Sequence, residues 1–83
     1  MDWRNAMKME MPVLSGGDDE IVIISWYVAQ GSEVSGGQDL LEVATDKATF
    51  DVPSPCDGVL EEVIKKGGDP VRPGEVIAHI REK

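Results

Sequence analysis

Two lysines in this chain stand where a primary amine could do more than carry charge, as a point of covalent cofactor attachment. Lys8 lies in NAMKMEM (residues 5–11) and Lys47 in ATDKATF (residues 44–50). Their surroundings differ. Lys8 belongs to an alternating run, with Met9, Met11 and Val13 on one side and Lys8, Glu10 and Pro12 on the other, which is the period of a half-buried strand. That pattern predicts methionines in the core and a lysine in water. Lys47 instead lies between LLEVAT and ATFDVP, two runs of strand character, so Asp46-Lys47 reads as the tip of a β-hairpin. Asp tolerates unusual backbone angles, but the lack of a glycine argues against a tight type I′ turn and leaves the turn type open.

The remaining reactive side chains are few. Cys56 is the single cysteine and His79 the single histidine, and no Ser-His-Asp or Cys-His set or zinc-ligand cluster can be argued from spacing. Cys56 is nine residues from Lys47, largely along a strand, or roughly 30 Å at about 3.3 Å per residue. It therefore reads as a small loop residue in SPCDG, where Gly58 is expected to permit a backbone turn.

The elements that must position Lys47 are short. Gly and Pro recur at close intervals between Val- and Ile-rich runs, and no segment holds a helical period. Strands are expected at residues 8–13, 21–28, around 34, 40–45, 48–52, 59–65, around 71, and 76–80. Displacing the sequence against itself by 37 positions superposes Ile23 on Leu60, Gly31 on Gly68, Val34 on Val71, Gly37 on Gly74, Leu40 on Ile77 and Val43 on Ile80. Two copies of one unit are present, each too small to bury its own apolar face. The expected fold is all-β: a flattened β-barrel or sandwich of two four-stranded antiparallel sheets with an internal quasi-two-fold repeat. The symmetry pairs Asp46 with Lys83, which places the Lys47 tip and the chain ends at opposite ends of the domain. His79 superposes on Glu42 and is expected to face solvent.

Size and charge set the class. Eighty-three residues make a single domain, residues 1–83, with residues 1–7 as a loose N-terminal extension. A lone cysteine allows no internal disulfide and suits a reducing compartment. The longest apolar run, residues 21–29, is about half of a helical membrane span. A net charge of −8 opposes docking to nucleic acid or to anionic membranes.

Several segments together carry a resemblance. MPVLS, WYVAQGSEV, LLEVATDKATFDVPSP with Gly58 after it, and GGDPVRPGEVIAHI resemble the lipoyl domain of 2-oxo acid dehydrogenase acyltransferases over residues 11–80. The likeness rests on the Asp-Lys-Ala tip with both glycine repeats in register, not on the tripeptide alone. It implies that Lys47 takes lipoate as a covalent amide, with Asp46 and Ala48 as recognition context. It also implies a carrier with no catalytic or metal residues of its own, since the dithiolane supplies the reactivity. The partners implied are a lipoate ligase or lipoyl/octanoyl transferase, a thiamine diphosphate-dependent 2-oxo acid dehydrogenase, an acyltransferase core and dihydrolipoamide dehydrogenase. The location implied is the cytoplasm, or the mitochondrial matrix in a eukaryote. The loop at residues 15–20 is where such domains often help the decarboxylating enzyme choose its carrier. Three positions depart from the family's pattern: Ala44 stands where glutamate is frequent, Ile21 where glycine is common before the second strand, and Gly37-Gln38 where Gly-Asp is common.

Two rival readings share the fold. Ala6-Met7-Lys8-Met9 spells the tetrapeptide around the biotinylated lysine of biotin carrier proteins, but Lys8 has only seven residues before it where a biotin-accepting lysine needs half a domain. A biotin carrier using Lys47 would be expected to have methionines at Asp46 and Ala48. The other rival is a β-sandwich interaction module with no cofactor.

Overall fold

The computed structural model describes residues 6–13 and 20–82. The described residues form eight strands: β1 (Ala6–Glu10), β2 (Ile21–Trp26), β3 (Glu33–Val34), β4 (Asp39–Ala44), β5 (Thr49–Pro53), β6 (Gly58–Val63), β7 (Pro70–Val71) and β8 (Val76–Glu82). They form two antiparallel four-stranded sheets, ordered β1-β8-β6-β3 (sheet A) and β5-β4-β2-β7 (sheet B), packed as a sandwich with no closed barrel. Each sheet takes strands from both sequence copies, because β3 pairs with β6 and β7 with β2. The halves interlock as well as stack, so neither has a complete sheet without the other.

The repeat extends to single hydrogen bonds. Gly31 N donates to Leu60 O and Gly68 N to Ile23 O; Tyr27 N donates to Leu40 O and Ile64 N to Ile77 O; Gly37 N donates to Ser54 O and Gly74 N to Met11 O. The side chains of Gln38 and Glu75 accept from Ser35 N and Arg72 N in the same relation. Gly31, Gly68, Gly37 and Gly74 are the described residues with positive φ, the conformation that only glycine adopts without strain. The regular glycine spacing is therefore the sequence record of four left-handed corners.

Each alternating strand sends one face into a shared core that includes Ile21, Ile23, Leu40, Leu41, Val43, Leu60, Ile77 and Ile80. Alternation fails at two symmetric places. Leu40 and Leu41 are both buried, as are Ile77 and Ala78, because the ladder skips Leu40 opposite β5 and Ile77 opposite β1. These two β-bulges let consecutive side chains enter the core.

Strand boundaries differ from the sequence reading. The first strand begins at Ala6, within the segment expected to be a loose extension, and ends at Glu10. Met9 and Met11 are buried as expected, but Val13 is 74% exposed because the chain has left the sheet. Gly58 lies inside β6 with no left-handed φ, so it serves close approach and not the expected turn. Truncating Met9 or Met11 to alanine is expected to cost about 2 to 5 kcal/mol. Glu10→Ala, at an exposed site, should stay within about 0.5 kcal/mol. Three urea midpoints check this.

Candidate functional site

β4 and β5 end in the rung Ala44–Thr49, and residues 45–48 form the tip. Thr45 builds it. Its backbone N–H donates to Ala48 O at 2.8 Å. Its hydroxyl donates to the same oxygen at 3.3 Å and accepts from Lys47 N and Ala48 N, both at 3.2 Å. Neither Asp46 nor Lys47 has a positive φ, which settles the turn as neither type I′ nor II′. A hydroxyl closing the loop on its own backbone replaces the missing glycine. Thr45 is the site residue that sequence reasoning passed over; its signal is a short hydroxyl side chain directly before the two turn residues. Thr45→Val should lower stability by about 1 kcal/mol and slow modification of Lys47 by loosening its backbone, checked by denaturant titration and initial rates.

Lys47 is exposed, and its ammonium makes no hydrogen bond or ion pair among the described residues. The amine therefore projects from a turn whose backbone is held while the side chain is free. Asp46 and Ala48 beside it are exposed too. The far end of the hairpin is tied to the chain end: Ser54 N donates to Gln38 O, Gly36 N donates to Asp57 Oδ1 at 2.7 Å, and Gly58 pairs with Glu82. Ala6 pairs with Arg81 beside it. These pairings put Ala6 and Glu82 beside the end of the hairpin away from Lys47, in a domain that measures 39 × 20 × 20 Å.

The other candidates are elsewhere. Lys8 is exposed in mid-strand opposite His79, and His79 faces outward with Nδ1 3.2 Å from Glu62 Oε1. Cys56 is half-buried at the end remote from Lys47; Ser54 Oγ donates to its carbonyl at 2.7 Å. Burial, then the charges of Glu82 and Asp57, push its thiol pKa up, which leaves little thiolate for exchange near neutral pH. Among the described residues no group of three or more His, Cys, Asp and Glu could hold a metal ion.

On the outer face of sheet B, the Tyr27 hydroxyl donates to Asp51 Oδ1 at 2.5 Å. That bond, with desolvation and the charges of Asp51, Glu42 and Asp39, pushes the tyrosine up to about 12 from 10.0. A pKa raised on folding means that this interaction supports the fold below about pH 10, and its contribution is lost as pH rises through about 12. Tyr27 is the only tyrosine in the chain, so its ultraviolet titration should show one midpoint near 12, falling toward 10 in Asp51→Asn.

The family model described as "Biotin-requiring enzyme" matches residues 7–80. The dihydrolipoyllysine-residue succinyltransferase component of the 2-oxoglutarate dehydrogenase complex of Rickettsia bellii is 38% identical over 76 residues, 92% of this chain and 19% of that protein. The component of the same name in Bacillus subtilis is 37% identical over 75 residues, 90% of this chain and 18% of that protein. The chain thus spans about one fifth of the length of the curated relatives it matches. Among solved structures, the lipoyl domain of the 2-oxoglutarate dehydrogenase complex from Azotobacter vinelandii superposes with a TM-score of 0.73 at 25% identity, covering 92% of this chain and 96% of that one. With a match across almost the whole sandwich, the hairpin of Lys47 included, the chain belongs to the biotin/lipoyl attachment family.

Proposed function

We propose that this chain is a lipoyl carrier domain, with lipoate joined as an amide to Lys47 Nζ, serving the succinyltransferase component of a 2-oxoglutarate dehydrogenase complex. The observation that carries it is the Thr45-braced tip, which presents an amine with no partner among the described residues, at the end of the hairpin away from Ala6 and Glu82. When bound, lipoate supplies a dithiolane that takes up an acyl group and electrons at one enzyme and releases them at others.

The chain's own residues do the presenting. Thr45 fixes the backbone at which the arm begins, so a modifying enzyme meets Lys47 in one local shape. The two interlocked sheets keep that shape rigid while the domain moves as a body. A linker joined near β8 would let the tip travel between a thiamine diphosphate-dependent dehydrogenase, the acyltransferase core and dihydrolipoamide dehydrogenase.

The biotin reading rests on the same family membership. The relatives named for dihydrolipoyllysine favour lipoate, as do Asp46 and Ala48 where a biotin carrier would be expected to have methionines. The test is an intact mass after co-expression with a lipoate ligase, and in parallel with a biotin ligase. A gain of one lipoyl group, and none of biotin, is the expected result; a biotinyl adduct or an unchanged mass in both would overturn it.

A further inference from the structure

The rung that leads into the Lys47 turn is not charged. Across sheet B the outward-facing residues on that line are Pro70, Val22, Ala44 and Thr49, each opposite the next on neighbouring strands. Val22 is 36% exposed, and Ile24 beside it, looped out by the bulge in β2, is 44% exposed. The next rung toward the chain ends is acidic, with Glu42 opposite Asp51. Ala44 matters most, because a glutamate there would put a carboxylate in the middle of the row. With alanine, the apolar surface runs unbroken to the start of the tip.

We propose that the lipoyl arm on Lys47 folds back between transfers and rests on this row, with Val22 and Ala44 as its seat. This rests on the reading of Lys47 as the attachment point. Three features favour the arm as occupant. The row is continuous with the hairpin that carries Lys47. Amide formation removes the ammonium charge, so the methylenes and dithiolane form a neutral apolar group that matches Val22 and Ala44 and has no charge to set against Glu42 and Asp51. From the lysine Cα to the end of an octanoyl-length chain there are about 13 bonds, a contour of about 20 Å at ~1.5 Å per bond. Adjacent strands are only about 4.8 Å apart, so both Ala44 and Val22 lie within its range. Resting there would shield the disulfide from stray thiols while leaving it one weak contact away from release.

The experiment compares methyl and nuclear Overhauser spectra of the isotopically labelled protein before and after lipoylation, with the modified peptide confirmed by mass. The methyls of Val22 and Ala44 should shift and show contacts to arm methylenes. Val59, the repeat counterpart of Val22 on sheet A, should not change. A contact equal to one buried methylene shifts a population about fourfold, so Val22→Glu should speed phosphine reduction of the dithiolane by about that factor. Val22→Thr, which keeps a branched strand residue at this exposed site, should act in the same direction and guards against misfolding of the charged variant. If Lys47 is modified but these methyls stay still and neither variant alters reduction, the seat is refuted while the carrier reading stands, and the row is left to a partner protein. If Lys47 is not modified, both fall.

Discussion

Lys47→Arg is expected to yield a fully folded domain whose mass does not rise at all under lipoylating conditions, whereas Lys8→Arg should be modified to the same extent as the parent. The guanidinium keeps the positive charge and side-chain length of Lys47 but is no competent amine for amide formation at neutral pH. Because the side chain is exposed and unpartnered among the described residues, the substitution should change stability by no more than about 0.5 kcal/mol. Lys8 is accessible too, so exposure alone cannot separate the two. What separates them is backbone: Lys8 sits in mid-strand, hydrogen-bonded into a ladder opposite His79, whereas Lys47 stands on a closed turn beyond the last rung of its sheet. An enzyme that must enclose the amine can surround a protruding tip but meets a flat sheet around Lys8. Intact masses of the three proteins with peptide mapping decide it, and a lipoylated peptide containing Lys8 would overturn the assignment.

The eight strands and the two-fold repeat were legible because their signals are local. Each left-handed corner needs a glycine, and Gly31, Gly37, Gly68 and Gly74 keep the same spacing in both copies. The hairpin at Lys47 was legible for a similar reason, as two strand-like runs with only a short connection between them. Pairing partners were not, since nothing in the periodicity of Glu33–Val34 says that it will bond to β6 in the other copy. Nor were the bulges: Leu40 and Leu41 look like a break in alternation, and only a partner strand that skips Leu40 makes both of them core residues. Val13 continued the alternation in sequence but not in space, because its strand had already ended. Thr45 looked like the last residue of a strand, and its role depends on hydroxyl geometry that residue type suggests but does not fix.

Gly58→Ala is expected to destabilise the domain by about 4 kcal/mol or more, in the range reached only when an added atom has nowhere to go. For a domain of this size that is a fall in Tm of about 20 °C. A Cβ at Gly58 would lie within van der Waals exclusion of the Arg81 carbonyl oxygen, 3.0 Å from its carbon and 3.0 Å from Ile80 Cγ2. The first of these is backbone in a paired strand and cannot rotate aside. The repeat partner of Gly58 is not a glycine. The counterpart of Gly58 is Ile21, whose side chain is buried in the core. In the second copy β8 runs on to Glu82, whereas in the first β4 stops at Ala44 before the Lys47 hairpin. Two companion variants isolate this cause. Gly36→Ala meets its nearest atoms at 3.5 Å, ordinary contact, and should stay within about 0.5 kcal/mol. Gly31→Ala finds open space but a φ of +96°, and should cost about 1 to 2 kcal/mol from backbone strain alone. Thermal midpoints ranked Gly36→Ala, Gly31→Ala, Gly58→Ala from highest to lowest would support close approach as the reason for Gly58; a Gly58→Ala midpoint level with that of Gly36→Ala would refute it.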